Sequence, residues 1–493
     1  MESLLRLVNK SPSLNYLLLA FSGSITSIAF SPFDVKPIII LSLAILIYSI
    51  QTSINFFEAF KRSFVWGLCY WISGTGWLIV SIYYYGNTYL SVSILLIVLM
   101  GIMLSITFIT PISFIKILAT NQNVIKKSLI FAALLTLMEL SRFFLLGGSS
   151  PWLLPGLVFT NTFAQISFPI IGIYGASFII YFLSSILALS IFYKNRNILI
   201  LSIFCLIIFI PKFHSAQVNS SKALDIGIVQ PSLDPFKKYE YGGAYNIEET
   251  LLNITNQITK VDLIIWPESP LPYVSSNSKM QNLIDRIDNE SMIISGAWTY
   301  EDNNLLNSMI LIGENQSYSK RHLVPFGEYV PFEDQLRGLI NFFDLPMSSI
   351  SKGKSNQALF KVNDFHVLGL ICFDVAFPLS FLKEFRNADF IINISNDTWF
   401  GKSYGPHQHL QIVKARAIES NKWIARGTSD GISTIVDNKG TIVEKLSKGK
   451  TGFIVGTIYS TNKSTIFYSF GYLIVPLASL FILLAAIIKR VRK

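Results

Sequence analysis

Long apolar stretches constrain the fold of this chain more than any other feature of its sequence. Seven of them precede residue 214 and an eighth lies near the C-terminus, at about 13–31, 36–50, 57–83, 89–115, 128–146, 162–192, 197–213 and 466–488. A helix needs about 20 mostly apolar residues to cross the hydrocarbon core of a bilayer. Only 14% of the residues are charged, against about 25% in a typical soluble domain. The pattern therefore predicts a polytopic α-helical membrane domain with about eight transmembrane helices, and it excludes a disordered chain.

The excess of positive charge flanks these apolar stretches. Residues 1–213 contain twelve bases and four acids, whereas residues 214–488 are slightly acidic in sum. The bases concentrate in alternate loops, at Arg6, Lys10, Lys61, Arg62, Lys116, Lys126, Lys127, Lys194 and Arg196. The positive-inside rule then predicts a cytoplasmic N-terminus, an outer domain after residue 213 and a basic cytoplasmic tail at 489–493. This distribution indicates membrane topology and not a nucleic-acid surface.

Short β-rich runs replace the apolar stretches after residue 222. Eight such runs are found at Leu224–Val229, Leu263–Trp266, Met292–Ser295, Met309–Ile312, Val367–Cys372, Phe390–Ile394, Ile432–Val436 and Phe453–Ile458. Helical stretches lie between several of them, at about 245–258, 276–288 and 406–420. Strands that alternate with helices predict a layered α/β domain. The predicted organisation is a transmembrane domain at 1–213, a short polar hinge at 214–222, an outer α/β domain at 222–464 and a transmembrane helix at 466–488.

Two charged residues, Glu139 and Arg142, lie within an apolar stretch. Ionisable residues inside a membrane are candidates for function. Because they are three residues apart on a predicted helix, they can share one face and pair. We favour a structural ion pair near a helix end over a functional role.

Cys372 is the one cysteine of the predicted outer domain, and it ends an apolar run. It has no partner for a disulfide within the domain, so it is either a buried inert thiol or a nucleophile where a strand opens into a loop. A nucleophilic thiol needs a base for its proton and a donor that stabilises the oxyanion. Glu268, in a turn bracketed by prolines, Lys320 and Glu328 offer those groups.

Three motifs carry a resemblance to a known family: WPES at 266–269, KRHLVPFGEYVP at 320–331 and ICFDVAFP at 371–378. In this order they resemble the motifs around the Glu-Lys-Cys triad of the nitrilase (carbon-nitrogen hydrolase) superfamily. With apolar stretches on both sides, the chain resembles the membrane-embedded branch of that superfamily, the apolipoprotein N-acyltransferase family. The resemblance implies an αββα sandwich for the outer domain. It also implies that Cys372 is the nucleophile, Glu268 the proton acceptor, Lys320 the oxyanion stabiliser and Glu328 a supporting acid.

The resemblance further implies supporting or substrate-binding roles for Phe373, Asp374, Trp399 and Phe400. Phe373 and Asp374 stand where the family usually has Tyr and Glu, so the carboxylate of Asp374 has a shorter reach. Trp399 and Phe400 follow a polar turn and fit either a core position or a lipid-facing loop.

No metal or other cofactor is predicted. His407 and His409 are two residues apart, but two histidines without a third ligand nearby are a weak metal signal. A structural hydrogen-bonding role is favoured for His409. The sequence has no glycine-rich phosphate loop, so nucleotide binding is unsupported.

The resemblance implies an acyltransferase of bacterial envelopes. It would move a fatty acyl group from a membrane glycerophospholipid, through a thioester on Cys372, to the N-terminal amine of the diacylglyceryl-cysteine of an apolipoprotein. We expect a monomer in the bacterial inner membrane, with the outer domain facing the periplasm. One alternative is a membrane-anchored nitrilase-type amidase, for which a single anchoring helix would suffice. The other is a transporter with an outer domain, which would carry polar residues deep in several apolar stretches.

Overall fold

The computed structural model describes residues 11–118, 122–145, 151–212, 222–339, 349–461 and 464–491. The chain divides into two compact units. The helical unit comprises Met1–Ile79, Tyr89–Phe213 and Phe470–Lys493, and the α/β unit comprises Val80–Thr88 and His214–Ser469. Apart from Lys222, the predicted hinge lies outside the described residues, as do Arg6, Lys10 and the last two residues of the basic tail.

A helix lies in each of the eight predicted apolar stretches. The helices of this unit are α1 Pro12–Ile25, α2 Ile38–Thr52, α3 Phe56–Thr75, α4 Leu90–Phe108, α5 Ile115–Leu118, α6 Val124–Ser141, α7 Phe168–Phe192, α8 Arg196–Phe204 and, at the end of the chain, α14 Tyr472–Val491. By length and composition, three described helical segments can cross a membrane: Leu90–Leu118, Phe163–Phe192 and Phe467–Arg490. The count of eight spans therefore stays a prediction.

Asparagine side chains begin three of these helices. The Oδ1 atoms of Asn55, Asn123 and Asn195 accept hydrogen bonds from backbone N–H groups three residues further on. Such caps satisfy amide donors that have no partner within the helix. Each helix boundary is thus set by a polar residue next to an apolar run.

Glu139 and Arg142 do not form the predicted ion pair. The Glu139 carboxylate accepts hydrogen bonds from Ser177 Oγ and Tyr181 OH, both at 2.7 Å. The Arg142 guanidinium donates to the Trp152 carbonyl at 3.2 Å and lies over an aromatic ring. Arg142 is the C-cap residue of helix α6 and keeps helical dihedral angles, so the two residues remain one turn apart while each side chain pairs with other groups.

The α/β unit contains two six-stranded sheets. Its strands are β1 Ala223–Gln230, β2 Leu263–Ile265, β3 Met292–Glu301, β4 Asn304–Leu311, β5 Gln316–Ser319, β6 Phe360–Val362, β7 Phe365–Ile371, β8 Phe390–Ser395, β9 Ile424–Thr428, β10 Ser433–Val436, β11 Ile442–Leu446 and β12 Gly452–Tyr459. The first sheet has the order β12-β1-β2-β3-β4-β5 and the second β11-β10-β9-β8-β7-β6. The inner trios β1-β2-β3 and β9-β8-β7 are parallel, and the outer pairings are antiparallel. Parallel strands end at one edge of a sheet, which is where loops carry functional groups in α/β proteins.

The two sheets face each other closely, and glycines mark the contact. A Cβ atom at Gly369 of β7 would lie 2.9 Å from Met309 Sδ of β4. A Cβ atom at Gly427 of β9 would lie 3.2 Å from Ile265 Cγ2 of β2. Larger side chains at these two positions would push the sheets apart.

The described part of the α/β unit also contains five helices: α9 Gly243–Thr255, α10 Ser278–Ile284, α11 Glu333–Leu336, α12 Leu382–Asn387 and α13 Gly405–Ser420. Apolar residues of α9 and α10 pack with Val229, Ile264 and Trp266 in one buried cluster. The predicted α/β fold is therefore correct, with two facing sheets and helices packed on a sheet.

All eight predicted β-rich runs contain a strand, but none of them covers β5, β6, β9 or β11. Strand β9 is buried throughout and carries Arg426 and Gly427 in its centre. A buried strand with a charge at its midpoint shows neither apolar continuity nor alternation, which are the usual signals.

Candidate active site

The three predicted triad residues lie at or just beyond the ends of strands. Cys372 follows β7 directly, Lys320 follows β5 directly, and Glu268 lies three residues after β2. All three are buried, with at most 9% of each residue exposed. Cys372 has a φ of +48°, in the left-handed region that non-glycine residues rarely adopt.

The Lys320 ammonium lies between two carboxylates. Its Nζ atom is 3.2 Å from Glu268 Oε1 and 2.8 Å from Glu328 Oε1. The structure thus brings three of the four predicted catalytic side chains into direct contact.

Asn307 also belongs to this cluster, and sequence reasoning missed it. Its Nδ2 atom donates to Glu268 Oε1 at 2.7 Å and to Glu328 Oε1 at 3.1 Å. Its residue is 2% exposed. A polar residue in the middle of the apolar strand β4 was the available signal, since a buried amide needs partners.

Backbone N–H groups bind the second oxygen, Oε2, of each of the two carboxylates. Asn396 N donates to Glu268 Oε2 at 2.7 Å, and Val324 N donates to Glu328 Oε2 at 2.8 Å. Each carboxylate is therefore fixed at both oxygens.

Burial and neighbouring charges set the protonation states. Burial lowers the pKa of Lys320, but the Glu268 and Glu328 carboxylates raise it more, so that the pKa lies well above its usual value. Burial and the Glu268 carboxylate raise the pKa of the Cys372 thiol, and the Lys320 charge opposes them only in part. Cys372 thus rests as a thiol, so its sulfur would have to lose a proton in order to act as a nucleophile. That requirement calls for a base at its side.

Asp374 links the Cys372 turn to the segment that carries Lys320. Its carboxylate accepts from Tyr318 OH at 2.8 Å and from His322 N at 2.9 Å. Burial raises the pKa of Asp374 to about 6, although the Lys320 charge opposes the rise. The shorter side chain of Asp therefore reaches donors two residues before and two residues after Lys320.

The three predicted aromatic residues contact other rings. Phe373 packs edge-on against Phe377, and Phe400 lies 6.4 Å from the His409 ring, between centroids. Trp399 forms edge-to-face pairs with Tyr85 and Phe236, and its carbonyl accepts from Ser81 Oγ at 2.7 Å. The Val80–Thr88 segment is thereby joined to the loop after β8.

Lys238 is a second buried lysine near Glu268, and sequence reasoning missed it as well. Its Nζ atom donates to the Ser269 carbonyl at 2.6 Å. Burial lowers the pKa of Lys238 to about 8, and the charge of Glu268 opposes the fall. Ser269 has a φ of +38°, so this contact stabilises a strained turn next to the predicted base.

One group of described residues has the spacing of metal ligands. The sulfur of Cys372, a carboxylate oxygen of Asp397 and a ring nitrogen of His409 lie within 4.8 Å of one another. Arg426 Nη2 donates to Asp397 Oδ2 at 2.8 Å, and the Lys320 charge acts on Cys372. Two cations already occupy the surroundings of these groups, which disfavours a metal ion.

Models of two known protein families match the two parts of the chain. A family model described as the apolipoprotein N-acyltransferase N-terminal domain matches residues 22–186, and the carbon-nitrogen hydrolase model matches residues 226–465. A solved CN-hydrolase superfamily protein of Xanthomonas campestris is 19% identical, with a TM-score of 0.35, over 48% of this chain and 91% of its own. A nitrilase superfamily protein of Saccharomyces cerevisiae is 18% identical, with a TM-score of 0.36, over 50% and 93%.

Curated relatives match over nearly their whole length. The apolipoprotein N-acyltransferase of Pasteurella multocida is 30% identical over 503 residues, which cover 96% of this chain and 95% of the relative. That of Pseudomonas syringae is 29% identical over 473 residues, with 92% of each chain covered. This chain therefore belongs to the apolipoprotein N-acyltransferase family and is a membrane acyltransferase that acylates lipoproteins.

Proposed function

We propose that the chain transfers a fatty acyl group from a glycerophospholipid to the N-terminal α-amine of diacylglyceryl-cysteine in apolipoproteins, through a thioester on Cys372. The observation that supports this most is the buried Glu268–Lys320–Glu328 cluster, in which the charges of Glu268 and Lys320 act on the Cys372 thiol. A thioester intermediate and two successive substrates imply ping-pong kinetics.

In the first half-reaction Glu268 accepts the thiol proton as Cys372 Sγ attacks the ester carbonyl carbon of the lipid. The Lys320 ammonium stabilises the oxyanion of the tetrahedral intermediate. Collapse breaks the bond between the carbonyl carbon and the glycerol oxygen. That oxygen receives the proton from Glu268 and leaves as the hydroxyl of a lysophospholipid.

In the second half-reaction the neutral α-amine of the acceptor attacks the thioester carbonyl. Glu268 accepts one proton from the attacking nitrogen, and Lys320 again stabilises the oxyanion. Collapse breaks the carbon–sulfur bond, and the Cys372 sulfur recovers the proton from Glu268. Asn307 and Glu328 hold the base and the ammonium in place throughout both steps.

We further propose an orientation with the α/β unit in the periplasm of a Gram-negative cell. The basic loops on alternate sides of the apolar stretches support it. Eight spans, a bacterial inner-membrane location and a monomer complete the proposal. The helices found in all eight apolar stretches are consistent with that number of spans.

The products distinguish acyl transfer from the amidase or hydrolase alternative. Full-length chain in detergent micelles, with labelled phospholipid and a diacylglyceryl-cysteinyl peptide, should release lysophospholipid and N-acylated peptide in equal amounts. With an acceptor whose amine is acetylated, release should stop after one lysophospholipid per enzyme. Continued release of free fatty acid without an acceptor would instead identify a hydrolase.

A further inference from the structure

We propose that His409 is a positioning residue for the nucleophile, because its ring holds the main-chain carbonyl of Cys372. This inference rests on the proposed function, in which Cys372 attacks the lipid ester. His409 lies on α13, apart from the elements that carry Glu268 and Lys320.

The contact is a hydrogen bond to the backbone of the reacting residue. His409 Nε2 lies 3.2 Å from the Cys372 carbonyl oxygen. Since a carbonyl oxygen only accepts, Nε2 must carry the hydrogen. His409 Nδ1 lies 3.0 Å from Asp397 Oδ1 and 3.1 Å from Arg426 Nη2, so Arg426 donates to it in the neutral ring and Asp397 accepts from it in the charged ring. Burial and the Arg426 charge lower the pKa of His409, and the Asp397 carboxylate opposes the fall. In either form of the ring, Nε2 donates to the Cys372 carbonyl.

Asp397 and Arg426 hold the ring itself. Arg426 Nη2 also donates to Asp397 Oδ2 at 2.8 Å, and Ser395 Oγ donates to Asp397 Oδ1 at 2.7 Å. His409, Asp397 and Arg426 are each at most 1% exposed. A Cβ atom at Gly431 would lie 2.8 Å from Asp397 Cβ, which leaves Asp397 little space to move. The imidazole is therefore held at its Nδ1 side, opposite the Nε2 atom that contacts Cys372.

Cys372 needs such an anchor because its backbone is strained. A φ of +48° persists in a non-glycine residue only where the surroundings impose it. The peptide between Cys372 and Phe373 is planar and trans, so a fixed carbonyl oxygen also fixes the direction of the Phe373 N–H. Without the anchor, the peptide could rotate and carry the Sγ atom away from the line of attack. A misplacement of about 1 Å can slow catalysis by roughly 10²-fold.

The test compares His409→Leu, which removes the donor, with His409→Gln, whose amide nitrogen reaches nearly the same place. His366→Leu is the matched control, since His366 has an exposed side chain on β7. The rate of thioester formation from dipalmitoyl phosphatidylethanolamine is measured by intact mass in one turnover, over a range of lipid concentrations. Thermal unfolding in the same detergent reports stability.

We expect His409→Leu to lower the saturating rate by about tenfold or more, with little change in the lipid concentration for half-saturation. His409→Gln should recover most of the rate, and His366→Leu should match the wild type. A Leu variant as fast as the wild type would overturn the inference, and so would a folded Gln variant as slow as Leu. If the Leu variant does not fold, the test is whether the Gln variant forms the thioester at most of the wild-type rate. A Gln variant that fails to fold also counts against the inference. A wild-type enzyme that forms no thioester would instead overturn the proposed function.

Discussion

Replacement of the proposed nucleophile, Cys372→Ser, is expected to abolish acyl transfer. The Cys372 site is buried beside a carboxylate, and both features already raise the pKa of the thiol. A serine hydroxyl is far less acidic than a thiol, so Glu268 is too weak a base for it. Removal of a nucleophile from comparable triads costs roughly 10⁶-fold in rate, and we expect a loss that leaves no measurable turnover. The measurement is the release of lysophospholipid together with acylation of the acceptor peptide.

The matched control for this variant is Cys205→Ser. Cys205 is a free cysteine of the helical unit, far from Cys372 along the chain, and its substitution should leave turnover unchanged. If Cys372→Ser turned over normally while folded, Cys372 would have no part in the chemistry.

The second large effect concerns the ammonium, in the variant Lys320→Arg. The charge is kept, but a compact ammonium between two carboxylates at 3.2 and 2.8 Å becomes a wide planar guanidinium. Lys320 is only 2% exposed, so there is little room for the larger guanidinium. Either it shifts from the position of the ammonium, or Glu268 or Glu328 moves. Loss of one oxyanion donor costs about 10²–10³ in rate, and we expect thioester formation to slow by that factor.

Thermal unfolding separates a chemical from a structural role for Lys320. Lys354→Arg is the matched control, because Lys354 pairs with Glu301 on the surface, where ion pairs contribute about 0–1 kcal/mol. Both variants should unfold near the wild-type temperature. Unchanged thioester kinetics in Lys320→Arg would rule out the oxyanion role. Slow kinetics with a large fall in unfolding temperature would mark Lys320 as a structural residue.

Residues that end apolar runs could be predicted as site candidates from the sequence. Cys372 and Glu268 each follow such a run, whereas Lys320 follows the polar segment 313–319, and the structure places each of the three at or near a strand end. Their motifs are local, so the residue types and spacing are visible without knowledge of the fold. The αββα arrangement was implied by resemblance and could not have been derived from periodicity alone.

The contacts that complete the site depend on sheet register, which the sequence does not reveal. Asn307 meets Glu268 and Glu328 because β4 pairs with β5 and brings Asn307 next to Lys320, whose N–H donates to the Asn307 carbonyl. Arg426 reaches Asp397 from the centre of β9, a strand that no apolar pattern indicated. In both cases a polar residue within a buried strand was the only local sign of a partner elsewhere.

The partners of charged groups within apolar helices were also beyond the sequence pattern. The spacing of Glu139 and Arg142 predicted a shared helix face and a mutual ion pair. Glu139 instead accepts hydrogen bonds from Ser177 and Tyr181, and Arg142 donates to the Trp152 carbonyl. Apolar length predicted where helices lie, and it could not predict which groups elsewhere in the chain meet a buried charge.

The central claim is that the acyl group passes through Cys372, and intact mass after incubation with phospholipid alone tests it most directly. Wild-type chain with dipalmitoyl phosphatidylethanolamine and no acceptor should gain one palmitoyl-sized mass, which peptide mapping should locate at Cys372. The adduct should disappear when the diacylglyceryl-cysteinyl peptide is added, and it should not form in Glu268→Gln. Acceptor acylation at the normal rate without any adduct on Cys372, or with the adduct on another residue, would contradict the mechanism.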